Sequence, residues 1–268
     1  MILNPVVNQI TIYPVKSLEG ISLQKAQIGT GGCLIHDREY AITDSNGKFV
    51  KGKNNSLVYL LRSSVDIDNQ IISFRQESAA TWNSFHLQKD KTAIDEFLSA
   101  YFGMKVTLVR DTAGEFLDVP VKSGITVLSN ASLKTVGTWF GHMHMDETRK
   151  RFRANIELSG VPAFWEDNLF WKPGTAVAFK IGTVICMGLS PRERCVVPTR
   201  HPETGEMIHA FQKSFAQQRL ANMPTWSTLD DYNHGYYLSV DCYIPASEFG
   251  KWIAIGDEVS IIGKKITA

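Results

Sequence analysis

Apolar and polar positions alternate over short stretches in the first half of the chain. Asn8, Thr11 and Tyr13 interleave with Ile10, Ile12 and Val15, a partial period-two pattern that predicts a strand. A second apolar stretch covers 21–28 and stops at Gly29. Residues 40–43, then Asp44-Ser45-Asn46-Gly47, then 48–50 predict a hairpin closed on an Asn-Gly turn. Residues 65–67 and 71–74 repeat that design around Asp68-Asn69-Gln70. The first helical period follows, with Ile94, Phe97, Leu98 and Tyr101 on one face. Thr92 reads as its cap, Asp95 and Glu96 suit the positive end of its dipole, and Gly103 closes it. Residues 105–110 then predict a strand.

The second half opens with a strand that runs into a helix, capped by Ser129 or Asn130 and continuing to about Phe140, with Leu133, Val136 and Phe140 inward. Further strands are predicted at 152–158, 176–181, 184–189, 236–240 and 257–262, with a helix at 211–220. Short strands dominate, so the expected fold is α+β, mostly β and barrel-like, with a few short helices. The polar segment 111–115 contains Gly114 and follows a complete strand–helix–strand set. It divides the chain into expected domains at 1–114 and 115–268.

Composition narrows the function classes. The 268 residues are 44% hydrophobic and 21% charged, enough for a large packed core. Lys plus Arg number 28 and Asp plus Glu 27, a net charge of +1, which gives no support to a nucleic-acid binder. Cys33, Cys186, Cys195 and Cys242 form no CxxC pair, which argues against a zinc ribbon or a dithiol. The amino terminus lacks the basic-then-apolar layout of a secretory leader, and no run approaches the ~20 apolar residues of a membrane span. The expectation is a cytoplasmic protein with four reduced thiols and no membrane or nucleic-acid partner.

Candidate chemistry centres on Cys195, which lies among Arg192, Arg194 and Arg200. Cations favour thiolate over thiol, and a thiolate is a nucleophile or a soft-metal ligand. A buried cysteine beside solvated arginines is the plainer alternative. Lys16-Ser17, Arg38 and Arg153 sit at predicted turns or strand starts; together they would suit a phosphate, and singly each reads as a surface charge. The cation-rich 148–153 segment could instead be an RNA patch, although few aromatics flank it. His142-Met143-His144 has metal-like spacing but follows Gly141 at a helix end, which favours a surface loop.

Several spaced motifs together carry a resemblance. They are IYPVKSLEGISL (12–23), DREYAITD (37–44) with Gly47, RFRANI (151–156), WEDN (165–168), Arg194-Cys195 and PETG (202–205). In this order they resemble the MOSC-domain family with its N-terminal β-barrel companion domain. The similarity is to members such as the mitochondrial amidoxime reducing component and its bacterial counterparts. The resemblance implies two β-barrel domains and a molybdenum cofactor, a pterin with a dithiolene and a terminal phosphate; pyridoxal phosphate binding is a further family-level description. It implies that Cys195 binds molybdenum and that Lys16, Ser17, Arg38, Arg153 and Asn155 hold the pterin and its phosphate. Ser129 and Asn130 fall where the family places polar cofactor contacts, and Arg194 precedes the metal cysteine as in relatives. Glu193 and Pro198 depart from the family pattern, and Glu193 is a candidate proton donor by proximity.

The function so implied is an oxidoreductase that reduces N-hydroxylated compounds such as amidoximes or hydroxylaminopurines. No cysteine-rich extension follows residue 263, so electrons are expected from a separate ferredoxin- or flavoprotein-type donor. Two rival readings remain open at this point. One is a sulfur or cofactor carrier that uses a Cys195 persulfide or thiolate. The other is a thiol hydrolase pairing Cys195 with His201 or His209.

Overall fold

The computed structural model describes residues 4–118, 124–141 and 143–266. Its first half contains β1 (Val6–Ile12), β2 (Ile21–Leu23), β3 (Lys25–Gln27), β4 (Tyr40–Asp44), β5 (Leu61–Asp66), β6 (Ile71–Gln76), β7 (Asn83–His86), α1 (Lys91–Phe102) and β8 (Val106–Arg110). The second half contains β9 (Ile125–Ser129), α2 (Asn130–Thr138), α3 (Met145–Phe152), β10 (Ile156–Ser159), β11 (Thr175–Ile181), β12 (Val184–Glu193), α4 (Phe211–Ala221), β13 (Tyr237–Tyr243), β14 (Trp252–Ala254) and β15 (Val259–Ile266). The mostly-β expectation holds. The main sheet has eight strands in the order β15-β11-β12-β13-β9-β10-β1-β2, and smaller sheets pair β14-β3, β4-β8 and β5-β6-β7.

β1 explains why its sequence alternation is only partial. Ile10 and Ile12 enter the main apolar core with Val127, Ile156 and Leu158. Gln9, Thr11 and Tyr13 point the other way and line a cavity. Both faces are therefore covered, and Thr11 and Tyr13 are buried although they join none of the three apolar clusters. β1 also crosses between the chain halves, pairing antiparallel with β10 on one side and β2 on the other.

The local-turn expectations hold well. β5 and β6 form a register-matched hairpin over Leu61–Gln76. β4 returns toward Phe49 through the Asn46-Gly47 turn, with Gly47 at φ 75°, but its main ladder is with β8. α1 buries Ile94, Leu98 and Phe102 and stops at left-handed Gly103, as read. Its cap position is Asp90 rather than Thr92, and the Asp90 carboxylate accepts the His86 N–H instead of capping the helix.

One expected strand starts later than its sequence suggests, behind an unforeseen helix. The reading of 152–158 as a strand fails at its start, because α3 occupies 145–152 and the strand begins at Ile156. α3 carries too few apolar residues to display a 3.6 period. Charge pairs hold it instead: Glu147 with Arg151 one turn on, at 2.6 Å, and Asp146 with Arg149. The ring of exposed His144 accepts the Asp146 N–H at its start. That assigns His144 to capping, while His142 lies outside the described residues. The cations of the 148–153 segment are no open patch: Arg149 binds Glu157, Lys150 binds Glu203 and Arg151 binds Glu147.

The WEDN segment is structural. Glu166 and Asp167 are buried in a 3-10 turn, Trp165–Leu169. Ser129 N–H donates to Glu166 Oε2 at 3.2 Å, and burial first and Asp167 second push the Glu166 carboxyl up to about 7. The fold therefore keeps a proton that the unfolded chain releases near 4.5. The stability this carboxyl contributes is full below about pH 4.5 and falls by ~3 kcal/mol as pH rises to about 7. Urea denaturation across this window should show the fall, and Glu166→Gln should flatten it. Among the described residues no helix is long and apolar enough to cross a membrane.

Candidate cofactor site

A cavity of about 1280 Å3 lies beside the main sheet, and residues from both chain halves line it. Cys195 reaches its wall at the end of β12, half-buried, with its Sγ accepting only a long 3.5 Å contact from the Val197 N–H. The other three thiols are buried and free, and burial raises each of them; Cys33 reaches about 11. The Tyr236 hydroxyl donates to the Cys195 carbonyl at 3.1 Å and ties the segment down.

Lys16, Ser17, Arg38, Arg153 and Arg194 converge on the same cavity. Three of them sit on left-handed backbone: Ser17 at φ 73°, Arg38 at φ 52° and Arg153 at φ 54°. Non-glycine residues in that region are uncommon and concentrate at functional sites. Arg153 is not at a strand start; it is the left-handed C-cap of α3, and its N–H donates to the Arg149 carbonyl. Arg38 and Arg153 both lie against the Tyr13 ring, at 4.4 and 4.0 Å from guanidinium carbon to centroid. Asp37 anchors Arg38 through both carboxylate oxygens, at 2.7 and 2.6 Å.

The cations are short of counter-charge. Burial first, then Arg38 and Lys51, pull Lys16 down against the opposing pull of Asp118. Burial chiefly, aided by Arg38, lowers Arg153; burial and then Arg192 bring Arg194 down to about 10. Arg153 Nη2 and Arg194 Nε are buried and have no hydrogen-bond partner among the described residues. Asp118 supplies part of the missing charge. It accepts from Lys16 Nζ at 2.9 Å and pairs with Arg192 at 2.8 Å. Burial opposes its ionisation, yet Lys16, Arg192 and Arg38 hold its carboxyl far below the usual range.

Three residues suggested by resemblance do not line this cavity. The buried Ser129 hydroxyl is spent capping α2, where it accepts the Ser132 N–H at 3.1 Å, and Asn130 is the first residue of that helix. Asn155 is buried with all four polar positions in use. Its Nδ2 donates to Asp37 and to the Thr11 carbonyl, and its Oδ1 accepts from the Thr126 N–H and hydroxyl. Its role is to brace Asp37 and, through it, Arg38. Glu193 lines the cavity and faces His234 Nε2 at 3.3 Å. Among the described residues no histidine lines the cavity and none is hydrogen-bonded to Cys195, whose Sγ accepts from the Val197 N–H, while His201 Nδ1 accepts the Glu203 N–H. Sequence reading missed Tyr13, which its own alternation placed off the core side, and Asp118, for which no local signal exists.

The residues fit an anionic group that takes a thiolate ligand: an accessible sulfur, buried guanidinium nitrogens with spare hydrogens, and cations that depress one another. Residues 4–122 match the MOSC N-terminal beta barrel domain and residues 117–260 match the MOSC domain. The chain belongs to the MOSC-domain family. This MOSC chain is similar to human mitochondrial amidoxime reducing component 2, 23% identical over 74% of the chain and 68% of that protein. It is also similar to molybdenum cofactor sulfurases, 21% identical in rice and 23% in human. Those matches cover 74% and 78% of this chain, which spans only 29% and 28% of the sulfurases. Among solved structures it is similar to the YUAD protein from Bacillus subtilis, with a TM-score of 0.42 and 12% identity over 96% of this chain and 95% of that one.

Proposed function

We propose that this MOSC protein holds a molybdenum cofactor in the cavity and reduces N-hydroxylated compounds, with electrons from a separate ferredoxin- or flavoprotein-type donor in the reducing cytoplasm. The observation that carries this reading is Cys195 lining the same cavity as the under-neutralised Arg153 and Arg194. Cys195 brings one sulfur donor, and among the described residues no cluster of three His, Cys, Asp or Glu accompanies it. A metal bound there would bring most of its ligands, as it does with a dithiolene. The cofactor, when bound, would supply the two-electron chemistry.

The chain's own residues have separable tasks. Cys195 holds the metal as thiolate. Lys16, Arg38 and Arg153 offset the phosphate, and Ser17 offers a hydroxyl beside them. Arg194 donates to the Phe152 carbonyl at 2.7 Å, which fixes the guanidinium while leaving its Nε for the bound group. Reduction of R–NHOH to R–NH2 and water consumes two electrons and two protons.

Protein purified from a cofactor-competent host should contain near-stoichiometric molybdenum and reduce benzamidoxime with an artificial donor; metal-free protein from that host would refute the reading. Arg153→Gly gives a sharper test. Glycine suits the left-handed C-cap, so the fold should survive, while loss of a charge-assisted contact should cut cofactor retention by about tenfold or more. Pterin content and thermal stability measured together separate the two effects. Similarity to the sulfurases favours a second reading, a sulfur or cofactor carrier. It predicts sulfane sulfur on Cys195 and no turnover with artificial donors.

A further inference from the structure

The cavity is larger than a single small ligand needs and more positive than the chain as a whole. Pockets for a single small ligand run to roughly 300–1,000 Å3, against about 1280 Å3 here. Thirteen Lys and Arg line it, against six Asp and Glu, in a chain whose totals are 28 and 27. Seven of the thirteen meet carboxylates. Arg153 and Arg194 belong to the cofactor cluster, and Arg200 donates to the Gly205 carbonyl. Lys51, Lys53 and Arg75 remain, with no carboxylate partner among the described residues.

These three come from the amino-terminal half, away from Cys195 in sequence, and an aromatic shelf accompanies them. Arg75 on β6 donates to the Ala79 carbonyl at 2.9 Å and lies over the Trp82 ring, 5.4 Å from its centroid. Each group holds the other in place, so the shelf is organised before any ligand arrives. Trp82 is 43% exposed and lines the cavity, so part of its ring is open to a stacking partner there. Lys51 stands near enough to Lys16 to disfavour its charge, so the surplus positive field is continuous with the cofactor cluster.

We propose that the Arg75–Trp82 shelf, with Lys51 and Lys53, selects substrates bearing a phosphate beside the N-hydroxylated ring, namely nucleoside phosphates with an N-hydroxylated base, over uncharged bases. This substrate class rests on the reductase reading above. Trp82 and Arg75 take the ring, and Lys51 and Lys53 take the phosphate. The reaction is unchanged: two electrons and two protons convert the base N–OH to N–H and water, and the phosphate ester stays intact.

Calorimetric titration of the protein as purified, with adenosine 5′-monophosphate and with adenosine, tests the shelf without turnover. The monophosphate should bind about tenfold more tightly at low salt, and the gap should shrink in about 0.5 M salt. Trp82→Ala and Arg75→Gln should each weaken monophosphate binding about tenfold with metal content unchanged, and Trp82→Phe should retain it. Equal binding of the two ligands, or an unchanged affinity in Trp82→Ala, would overturn the proposal. So would an oligonucleotide binding more tightly than the mononucleotide. Expected binding without reduction of an N-hydroxylated monophosphate would leave the shelf standing and remove the reductase reading. Reduction of free hydroxylaminopurine with no preference for its phosphate would do the reverse.

Discussion

Cys195→Ala is expected to lower reductase activity by more than about 100-fold and to strip molybdenum from the purified protein, with the fold unchanged. Removing a residue that merely supports a ligand costs about 10–100-fold, and removing the chain's only proposed sulfur donor should exceed that. The fold should be indifferent for a structural reason. Cys195 belongs to none of the apolar clusters, and its sulfur makes only the long contact to Val197. Metal analysis, activity and thermal unfolding on one preparation decide the point. Full activity in the variant would remove the assignment of Cys195; loss of activity together with unfolding would mean that the sulfur is structural.

Arg219→Met is expected to destabilise the protein by about 3–5 kcal/mol. Arg219 on α4 and Asp167 are both nearly inaccessible and pair at 2.5 Å. The Arg219 guanidinium also lies 3.9 Å over the Phe164 ring. Burial raises the Asp167 carboxyl, and Arg219 is the first group opposing that rise. Without Arg219, a carboxylate remains where water cannot reach it. Removing both charges in Arg219→Met/Asp167→Leu should recover much of the loss, because the costly state is the single unpaired charge. Denaturant midpoints for the wild type, both single variants and the double variant measure the coupling. A single-variant loss under about 1 kcal/mol would show that the pair is solvated and worth little.

What was legible in the sequence follows from the range of the interactions. The β5–β6 hairpin and α1 were readable because turn residues and helical period act within a few positions. α3 was not, because charge pairs and a histidine cap hold it and leave no apolar stripe to see. Ser129 and Asn130 carried two readings at once, helix cap and cofactor contact, and the local hydrogen bond to Ser132 prevailed. Cys195 and its neighbouring arginines were visible from composition alone. That Lys16, Arg38 and Arg153 share its cavity was not, because pairing across both halves of the chain brings them together, and only the family motifs anticipated the meeting. Asn155 was named for the right neighbourhood, but its amide is fully occupied in bracing Asp37.

The position of β1 has a consequence for biosynthesis. Val6 pairs with Ser159, so β1, although β2 follows it at once, waits for its second partner until a strand translated about 150 residues later. At typical elongation rates that delay is on the order of ten seconds, during which the edge of β1 that meets β10 has no partner. A nascent chain in that state offers a sticky edge to chaperones and to its neighbours on the polysome, and slow codons before residue 159 would lengthen the exposure.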